Sequence, residues 1–325
     1  MLSKENVIKK LCRGKQTSFP FSPNGRNHSL NRCLLVHNKY NYLRLGPFKF
    51  EIKNIHPFRT IIHDFLAPNE IYHITRSILP NLTHAESKPL LIDASHKALQ
   101  DPSYINNWHR ASSIYFDEID GDFDDRKNFS IHDTFLRKDM SHDVIRDNRK
   151  HIMAGLSKRI EWSTHLIITD EPDTQGKFKA SLYGLGGMTE NHSDSYDVEN
   201  GKKLSASYEK YFKKAGDIIA TLIIWISDVA TGGGTYFSSS KAEDIMLPKE
   251  GSALLWINLN SSGYKNEQQS HGGCPVADGK KFIITKWYYD YFQYRKFPCE
   301  TKPDNFLSML NKWHFLPYNV SSPEF

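Results

Sequence analysis

The sequence predicts a mainly β fold with flanking helices, built on a double-stranded β-helix, or jelly-roll, core. Between Phe178 and Tyr294, short β-rich runs alternate with turns of Gly, Asn and Asp, which is the pattern of a double-sheet antiparallel barrel. The chain has 325 residues, 39% of them hydrophobic and 13% aromatic. That length and composition are sufficient for one large β-rich domain with appended helices.

The N-terminal part, residues 1–58, is basic and is interrupted by Pro and Gly, so we expect an irregular segment there. A short strand follows, and then a helix is predicted over Pro68–Ile78. Within this helix Ile71, Ile74 and Ile78 recur on one face, which is suited to packing against the barrel.

The main domain is expected to cover residues 59–300, and residues 301–325 form a C-terminal tail. Inside the domain, the polar lysine-rich segment 197–216 separates the first candidate site residues from the next apolar strand. We expect this segment to be a surface loop or a lid over the site.

The net charge of +5 is modest, and the lysines and arginines are spread through the chain. A nucleic-acid-binding surface is therefore not predicted from charge. No apolar run approaches the length that spans a bilayer, so no membrane span is expected.

The candidate metal site begins with His192-Ser193-Asp194. On a strand, residues i and i+2 point to the same side, so His192 and Asp194 can converge on one ion. His271 can supply a second imidazole, and the glycines that follow it allow close backbone packing. Two imidazoles and one carboxylate occupy one face of an octahedral Fe(II) and leave the other face open. Composition alone produces a chance His-x-Asp about once in such a chain, so the surrounding sequence has to decide.

Lys281 lies ten residues after His271 and opens an apolar run that is predicted to be a buried strand. A lysine that enters an apolar barrel is costly unless a carboxylate meets it there. The simplest occupant is a diacid cosubstrate, and 2-oxoglutarate would lie between the metal and Lys281.

Five ordered blocks surround these residues, and their order and spacing are specific. They are Tyr183–Gly187, Ile219–Val229, Gly232–Phe237, Pro248–Leu259 and His271–Val276. Together they resemble the catalytic domain of the collagen-type prolyl 4-hydroxylase alpha subunit, which is an Fe(II)/2-oxoglutarate dioxygenase. Upstream, the segments around Cys12 and Cys33 and the run 62–71 resemble the start of that domain.

The resemblance implies a role for each matching residue. His192, Asp194 and His271 would ligate Fe(II), and Lys281 would bind the far carboxylate of 2-oxoglutarate. Tyr183 and Thr221 would be the hydroxyl partners of that cosubstrate, and Trp287 would lie near the substrate proline. The resemblance also implies L-ascorbate as the reductant that restores iron after uncoupled cycles.

The implied activity is 4-hydroxylation of peptidyl proline in procollagen-like X-Pro-Gly sequences, with O₂ and 2-oxoglutarate consumed and succinate and CO₂ released. Protein disulfide isomerase is the implied beta subunit. The chain departs from the family at residues 188–191 and at Ile218, where the family has Tyr, Pro and Arg. Two alternatives therefore stay open: a hydroxylase of lysyl residues or a small molecule, and a catalytically silent binding subunit.

The four cysteines permit three complete pairings. Their clustering favours Cys12 with Cys33 and Cys274 with Cys299, and the resemblance implies the same pairs. Disulfides need an oxidising compartment, which points to the lumen of the endoplasmic reticulum. The charged N-terminus has no apolar leader, so we expect either a chain given without its leader or, as the alternative, a cytosolic protein with reduced thiols.

Overall fold

The computed structural model describes Cys12 and residues 32–36, 41–54, 57–79, 82–84, 111–116, 142–167, 178–196, 206–239 and 242–294. Four α-helices lie in these ranges: α1 (Pro68–Ile78), α2 (His142–Thr164), α3 (Ala206–Ala215) and α4 (Asp290–Gln293). Two short 3-10 helices lie at Asn41–Arg44 and Glu267–Gln269. None of the helices described is long and apolar enough to cross a membrane.

Fifteen strands are found in the same ranges. They are β1 (Arg32–Val36), β2 (Phe48–Asn54), β3 (Arg59–His63), β4 (Thr83–His84), β5 (Ala111–Phe116), β6 (Phe178–Tyr183), β7 (Thr189–His192), β8 (Ile218–Trp225), β9 (Thr231–Gly232), β10 (Thr235–Ser239), β11 (Ala242–Met246), β12 (Ala253–Ile257), β13 (His271–Gly273), β14 (Val276–Asp278) and β15 (Lys281–Tyr289).

Among the described residues, nine strands form one sheet in the order β1-β2-β3-β12-β8-β15-β6-β5-β4, and four form a second in the order β11-β10-β13-β7. The pairings in both sheets are antiparallel. Strand β8 lies at the centre of the large sheet, and all eight of its residues are buried. A strand covered on both faces has this continuous apolar character rather than an alternation with polar residues.

Alternate side chains of the large sheet enter two different hydrophobic clusters, as the two-residue period of a strand requires. The outer cluster joins the sheet to α1 and α2, through residues that include Leu222, Ile224, Leu255 and Ile284. The inner cluster joins Trp225, Trp256 and Ile283 to Phe237 and Met246 of the small sheet. The two sheets therefore enclose an apolar interior, and the predicted mainly β jelly-roll fold with flanking helices is confirmed.

Helix α1 begins at Pro68, where the fixed φ of proline suits the first helical turn. The carboxylate of Glu70 accepts a hydrogen bond of 2.8 Å from the backbone N–H of Ala67. Ile71, Ile74 and Ile78 are buried on the face that packs in the outer cluster. The predicted helix and its predicted buried face are both confirmed.

The N-terminal part differs from the expected irregular segment 1–58. Residues 32–36 and 48–54 are strands β1 and β2, which extend the large sheet beyond β3. The alternation of apolar and polar residues in Phe48–Asn54, with Phe50 and Ile52 buried, is the signal for this strand. The polar segment 197–216 likewise contains helix α3 in its described part, where a loop was expected. The tail, residues 301–325, lies outside the described residues.

The disulfide prediction is wrong. Cys12 is bonded to Cys274, and their Cα atoms are 5.4 Å apart. Cys33 lies on β1 at the edge of the large sheet, where it is exposed and has a free thiol. Cys274 follows β13 in the small sheet and packs with Cys12 against Tyr236. The prediction paired cysteines that are close in the sequence. In the structure Cys33 lies in the large sheet, whereas Cys12 is bonded to Cys274 beside the small sheet. Cys299 lies outside the described residues.

Candidate metal centre

The candidate centre is formed where β7 and β13 pair in the small sheet. His192 ends β7, and it is the cross-strand partner of His271 at the start of β13. The two imidazole rings have centroids 4.5 Å apart. Asp194 lies two residues further on, in the bend that follows β7, so the strand expected for this pair extends only to His192. His192 and Asp194 are near neighbours in the sequence, whereas His271 lies 77 residues after Asp194. The pairing of β7 with β13 brings His271 to the other two residues.

The donor atoms of His192, Asp194 and His271 all lie within 4.8 Å of one another. One carboxylate oxygen of Asp194 is 3.6 Å from Nε2 of His192, and the other is 3.6 Å from Nε2 of His271. The side chains of His271 and Asp194 keep 6% and 8% of their exposure, and that of His192 keeps 23%. Two imidazole nitrogens and one carboxylate at this spacing fit a divalent iron ion with open coordination positions.

Backbone carbonyls set the orientation of both imidazoles. Nδ1 of His192 lies 2.8 Å from the carbonyl oxygen of Glu190, and Nδ1 of His271 lies 2.9 Å from that of Gln269. A carbonyl oxygen accepts only, so each Nδ1 carries the proton and donates it. Each Nε2 lone pair is then free to bind a metal, which is the usual second interaction of a metal-binding histidine.

Asp194 is held as a carboxylate. The Thr221 hydroxyl of β8 donates a hydrogen bond of 2.6 Å to it, and Asn258 in turn donates one of 2.8 Å to that hydroxyl. Burial raises the pKa of Asp194, but the charge of His271, the contact with His192 and the Thr221 hydroxyl together bring it well below its usual range. The ligand is therefore ionised throughout the physiological range.

The two imidazoles differ in electrostatic environment. Burial lowers the pKa of His271 to about 4, so this ring is neutral near pH 7. Burial also lowers the pKa of His192, but the hydrogen bond and charge of Asp194 raise it by more. A neutral imidazole is the form that binds a metal, and a metal cation at the centre would displace a proton from His192.

Lys281 opens β15 and is only 4% exposed, as predicted for a buried lysine. Its Nζ donates to the hydroxyl of Thr235 at 3.4 Å and lies 5.7 Å from the centre of the Tyr183 ring. The Tyr183 hydroxyl accepts a hydrogen bond of 3.1 Å from Thr189. Burial lowers the pKa of Lys281 to about 8, which reflects the cost of the isolated charge.

The predicted hydroxyl partners are thus divided between two places. Tyr183 lies beside Lys281, whereas the Thr221 hydroxyl is engaged by Asp194. The hydroxyl next to Lys281 belongs to Thr235, which the sequence reasoning did not select. In the sequence Thr235 lies in the Gly232–Phe237 block, directly after three glycines. That position could have indicated Thr235 as a candidate site residue. A direct role of Thr221 with the cosubstrate stays a prediction.

Arg59 is a second residue that the sequence reasoning missed. It is fully buried at the start of β3, and its guanidinium stacks 3.9 Å from the centre of the Phe237 ring. It donates to the Gln269 side chain at 3.0 Å and to the Gln268 carbonyl at 2.7 Å. Gln269 carries the carbonyl that orients His271, so Arg59 braces the backbone behind that ligand. In the sequence Arg59 lies within a mainly apolar run, and this could have indicated a buried arginine with a structural role.

Gly272 confirms that the backbone after His271 is closely packed. A Cβ at this position would collide with the Tyr236 hydroxyl and with the carbonyl oxygen of Thr189. Strand β13 can therefore approach β7 and β10 closely only because it has no side chain there.

Trp287 lies on β15 on the same face as Lys281, and its cross-strand partner is Thr221. Its ring centre is 6.0 Å from Nζ of Lys179 on β6. The structure thus places Trp287 one strand from the hydroxyl that binds Asp194. Its predicted role in binding a substrate proline stays a prediction.

Residues 178–289 match the family model of the 2OG-Fe(II) oxygenase superfamily. The chain is 25% identical to prolyl 4-hydroxylase subunit alpha-1 of Caenorhabditis elegans over 282 residues, which are 87% of this chain and 42% of that protein. It is 26% identical to the human subunit alpha-3 over 273 residues, which are 84% of this chain and 41% of that protein.

A solved prolyl hydroxylase of Trichoplax adhaerens is 12% identical, with a TM-score of 0.44, and the match covers 72% of this chain and 84% of that one. The chain spans about two fifths of the length of the curated relatives it matches. The resemblance to prolyl 4-hydroxylase alpha subunits is confirmed. The stretch 178–289, which is similar to the 2OG-Fe(II) oxygenase superfamily, contains all three residues of the His-Asp-His centre.

Proposed function

We propose that this chain hydroxylates peptidyl proline at C4 in procollagen-like X-Pro-Gly sequences, and that it consumes O₂ and 2-oxoglutarate and releases succinate and CO₂. The observation that carries the proposal is the convergence of His192, Asp194 and His271 in the same β interior as buried Lys281. Proline as the oxidised residue is supported by the names of the relatives, which are prolyl 4-hydroxylase subunits.

The three candidate ligands would hold a divalent ion where β7 and β13 pair. Nε2 of His192, Nε2 of His271 and the carboxylate of Asp194 would bind it, since their Nδ1 and hydroxyl partners already fix their orientation. When bound, Fe(II) supplies the O₂ activation that a C–H hydroxylation requires.

Lys281 and Thr235 receive the far carboxylate of 2-oxoglutarate. The ammonium group of Lys281 offers three donors, and the Thr235 hydroxyl 3.4 Å away can add another. Pairing with a carboxylate relieves the burial cost that now lowers the pKa of Lys281. Trp225, Trp256 and Phe237 form an apolar wall in the inner cluster, which limits the access of water to the reacting atoms.

The decisive experiment is the measurement of succinate from purified protein with Fe(II), 2-oxoglutarate and O₂, with and without a Pro-Pro-Gly peptide. We expect the peptide to stimulate succinate release and to gain 4-hydroxyproline. His192→Ala should abolish both signals, and His151→Ala, on the exposed side of α2, should leave them unchanged. Absence of succinate under every condition would support the catalytically silent subunit instead.

A matched set of lysyl peptides separates the second alternative. If lysyl peptides or a small molecule stimulate succinate release and proline peptides do not, the chain is a hydroxylase of another substrate. The same assays on protein prepared with and without L-ascorbate test the proposed reductant, which should preserve activity over many turnovers.

We also propose that the chain works in the lumen of the endoplasmic reticulum, with protein disulfide isomerase as its beta subunit. The Cys12–Cys274 disulfide supports this, because such bonds persist in oxidising compartments. Co-expression with protein disulfide isomerase and co-purification test the partner, and fractionation of expressing cells tests the location. A cytosolic protein with both thiols reduced would contradict the location.

A further inference from the structure

The bend that carries Asp194 is held from outside the small sheet. Strand β7 ends at His192, and Asp194 and Ser195 form the bend that follows it. Two residues after Asp194, the backbone N–H of Tyr196 donates a hydrogen bond of 2.8 Å to Oδ1 of Asp217. Asp217 directly precedes β8 and is only 7% exposed. The backbone of the bend is therefore fastened to the large sheet.

Asp194 thus has two supports from the first part of β8. Thr221 lies four residues after Asp217, and its hydroxyl donates a hydrogen bond of 2.6 Å to the Asp194 carboxylate. Oδ1 of Asp217 also accepts a hydrogen bond of 2.6 Å from the backbone N–H of Ile218, which fixes it at the start of the strand. Thr221 holds the side chain of the ligand, and Asp217 holds the backbone two residues beyond the ligand.

Asp217 is itself held by the residue that follows β15. The carboxylate of Asp290 accepts a hydrogen bond of 3.0 Å from the backbone N–H of Asp217, and the backbone N–H of Asp290 donates one of 2.8 Å to the Asp217 carbonyl. Gly216 has a φ of 78°, and a Cβ there would collide with the Asp290 carboxylate. This reciprocal pair leaves Asp217 little freedom, as a residue that positions a ligand requires.

Apolar packing holds the same bend independently of Asp217. The ring of Tyr196 lies 5.7 Å from that of Phe212 on α3, in an edge-to-face arrangement. Both rings belong to a cluster with Ile218 and Tyr289, and Trp287 packs against it. Because this cluster keeps Tyr196 packed, loss of the hydrogen bond to Asp217 should release the backbone of the bend without unfolding it.

The acceptor oxygen of Asp217 and its charge can be separated by substitution. Burial raises the pKa of Asp217 to about 7, against the opposing effect of the Tyr196 and Ile218 N–H groups. The carboxylate of Asp290 raises this pKa further, and the charge of Lys265 lowers it. Asparagine has the same shape and keeps an oxygen that accepts both N–H groups, but it carries no charge to bury.

We propose that Asp217 is a positioning residue of the metal centre. By holding the backbone of Tyr196 at the start of β8, it keeps the carboxylate of Asp194 in place for a metal that His192 and His271 also bind. The inference rests on the metal centre of the proposed function but on no particular substrate, so it goes beyond proline hydroxylation.

The test is a titration of the full chain with Co(II), followed by the visible absorption of the bound ion, with neither 2-oxoglutarate nor peptide present. Asp217→Ala removes the acceptor and lets the bend shift. We expect the affinity for Co(II) to fall about tenfold or more and the absorption of the bound ion to change. Asp217→Asn keeps the acceptor oxygen and should restore both the affinity and the spectrum of the unmodified chain.

Two controls separate position from other effects. Asp228 also accepts a backbone N–H, from Glu250 at 2.7 Å, but it is exposed and lies beyond the opposite end of β8. Asp228→Ala should bind Co(II) as the unmodified chain does. Arg159→Ala removes a contact between the two outer helices, so it should lower stability while it leaves the Co(II) spectrum unchanged.

Amide hydrogen exchange on the unmodified chain tests the contact without any substitution. The Tyr196 N–H should be protected from exchange, and Co(II) should increase that protection. Exchange of this N–H at the rate of an exposed amide would overturn the inference. An unchanged Co(II) affinity in Asp217→Ala would overturn it too, as would an Asn variant that binds Co(II) as weakly as the Ala variant.

Failure of the proposed function has a different signature. If Asp217→Ala weakens Co(II) binding and Asp217→Asn restores it, but the unmodified chain hydroxylates no proline with Fe(II) and O₂, the positioning role stands and proline hydroxylation does not. If the unmodified chain binds no Co(II), the metal centre itself is wrong and the inference falls with it.

Discussion

At the scale of single residues, the metal ligands depend on neighbours that never touch a metal. Thr221 donates to Asp194 at 2.6 Å, and Asn258 donates to Thr221 at 2.8 Å. On the other side of the centre, Arg59 holds Gln269, whose carbonyl orients His271. These contacts select one rotamer for each ligand before a metal arrives, which lowers the cost of binding it.

Thr221→Val should weaken metal binding while it leaves the fold intact. Valine has nearly the same shape as threonine, but it removes the hydrogen bond to Asp194 and leaves the Asn258 amide without that acceptor. We expect the affinity for Co(II) or Mn(II) to fall about 10- to 100-fold. Thr231→Val on exposed β9 is the control. Unchanged metal affinity in Thr221→Val would show that Asp194 is positioned without this contact.

The affinity for 2-oxoglutarate should depend on pH through Lys281. Burial lowers the pKa of this lysine to about 8, so it is charged below that pH and increasingly neutral above it. Binding of the dicarboxylate requires the charged form, and the affinity should therefore fall as pH rises above 8, by about tenfold per pH unit. Calorimetric titration of the Mn(II)-loaded protein between pH 7 and 9.5 measures this.

Lys281→Arg is the informative control for that titration. Arginine stays charged over the whole range, so any binding that it retains should lose the pH dependence. A decline in affinity that is the same in both proteins would assign the effect to another group.

At the scale of elements, the two helices on the outer face are joined by one ion pair as well as by apolar packing. Arg159 of α2 donates two hydrogen bonds to Glu70 of α1, at 2.8 and 2.9 Å, and a third to the Phe65 carbonyl at 2.8 Å. Glu70 also caps α1 at Ala67. Burial raises the pKa of Glu70, but Arg159 and the Ala67 N–H bring it below its ordinary value.

Arg159→Ala should lower the free energy of unfolding by about 2 kcal/mol, because it leaves a half-buried carboxylate and a carbonyl without their donor. Urea denaturation followed by far-UV circular dichroism measures the change. Lys213→Ala is the matched control, since its ion pair with Glu209 on α3 is exposed and should contribute no resolvable stability. Equal effects of the two substitutions would show that the α1–α2 pair is also solvent-screened.

At the scale of the whole molecule, the disulfide connects the N-terminal segment to the strand that carries a metal ligand. Cys12 and Cys274 are separated by 262 residues, and Cys274 lies three positions after His271. A crosslink over so long a loop greatly restricts the unfolded chain. Stability and the order of the metal centre are therefore coupled to the oxidation state of this pair.

Reduction, or the double substitution Cys12→Ser and Cys274→Ser, should lower the free energy of unfolding by up to about 5 kcal/mol in the chain-entropy model. Cys33→Ser should have no such effect, because its thiol is exposed and free. Thermal unfolding with and without reductant measures the loss. Peptide mapping under non-reducing conditions checks the pairing directly, and a Cys12–Cys33 crosslink would contradict the structure.

The sequence by itself determined the periodic elements and the ligand set. The isoleucine face of α1 and the short separation of His192 and Asp194 depend on local geometry, which a sequence records directly. The buried state of Lys281 was also predictable, because an apolar strand surrounds it. The resemblance to prolyl 4-hydroxylase alpha subunits was also readable from the order and spacing of the sequence blocks alone.

Only the tertiary structure decided which side chains meet across strands that are far apart in sequence. Thr235, and not Thr221, lies beside Lys281. Arg59 hydrogen-bonds the backbone that precedes His271, and the ammonium group of Lys179 lies near the ring of Trp287. Cys274 is bonded to Cys12 and not to Cys299. Each of these contacts depends on how the large and small sheets pack and in which register. Register and sheet packing are collective properties of the whole core, so local sequence spacing does not contain them.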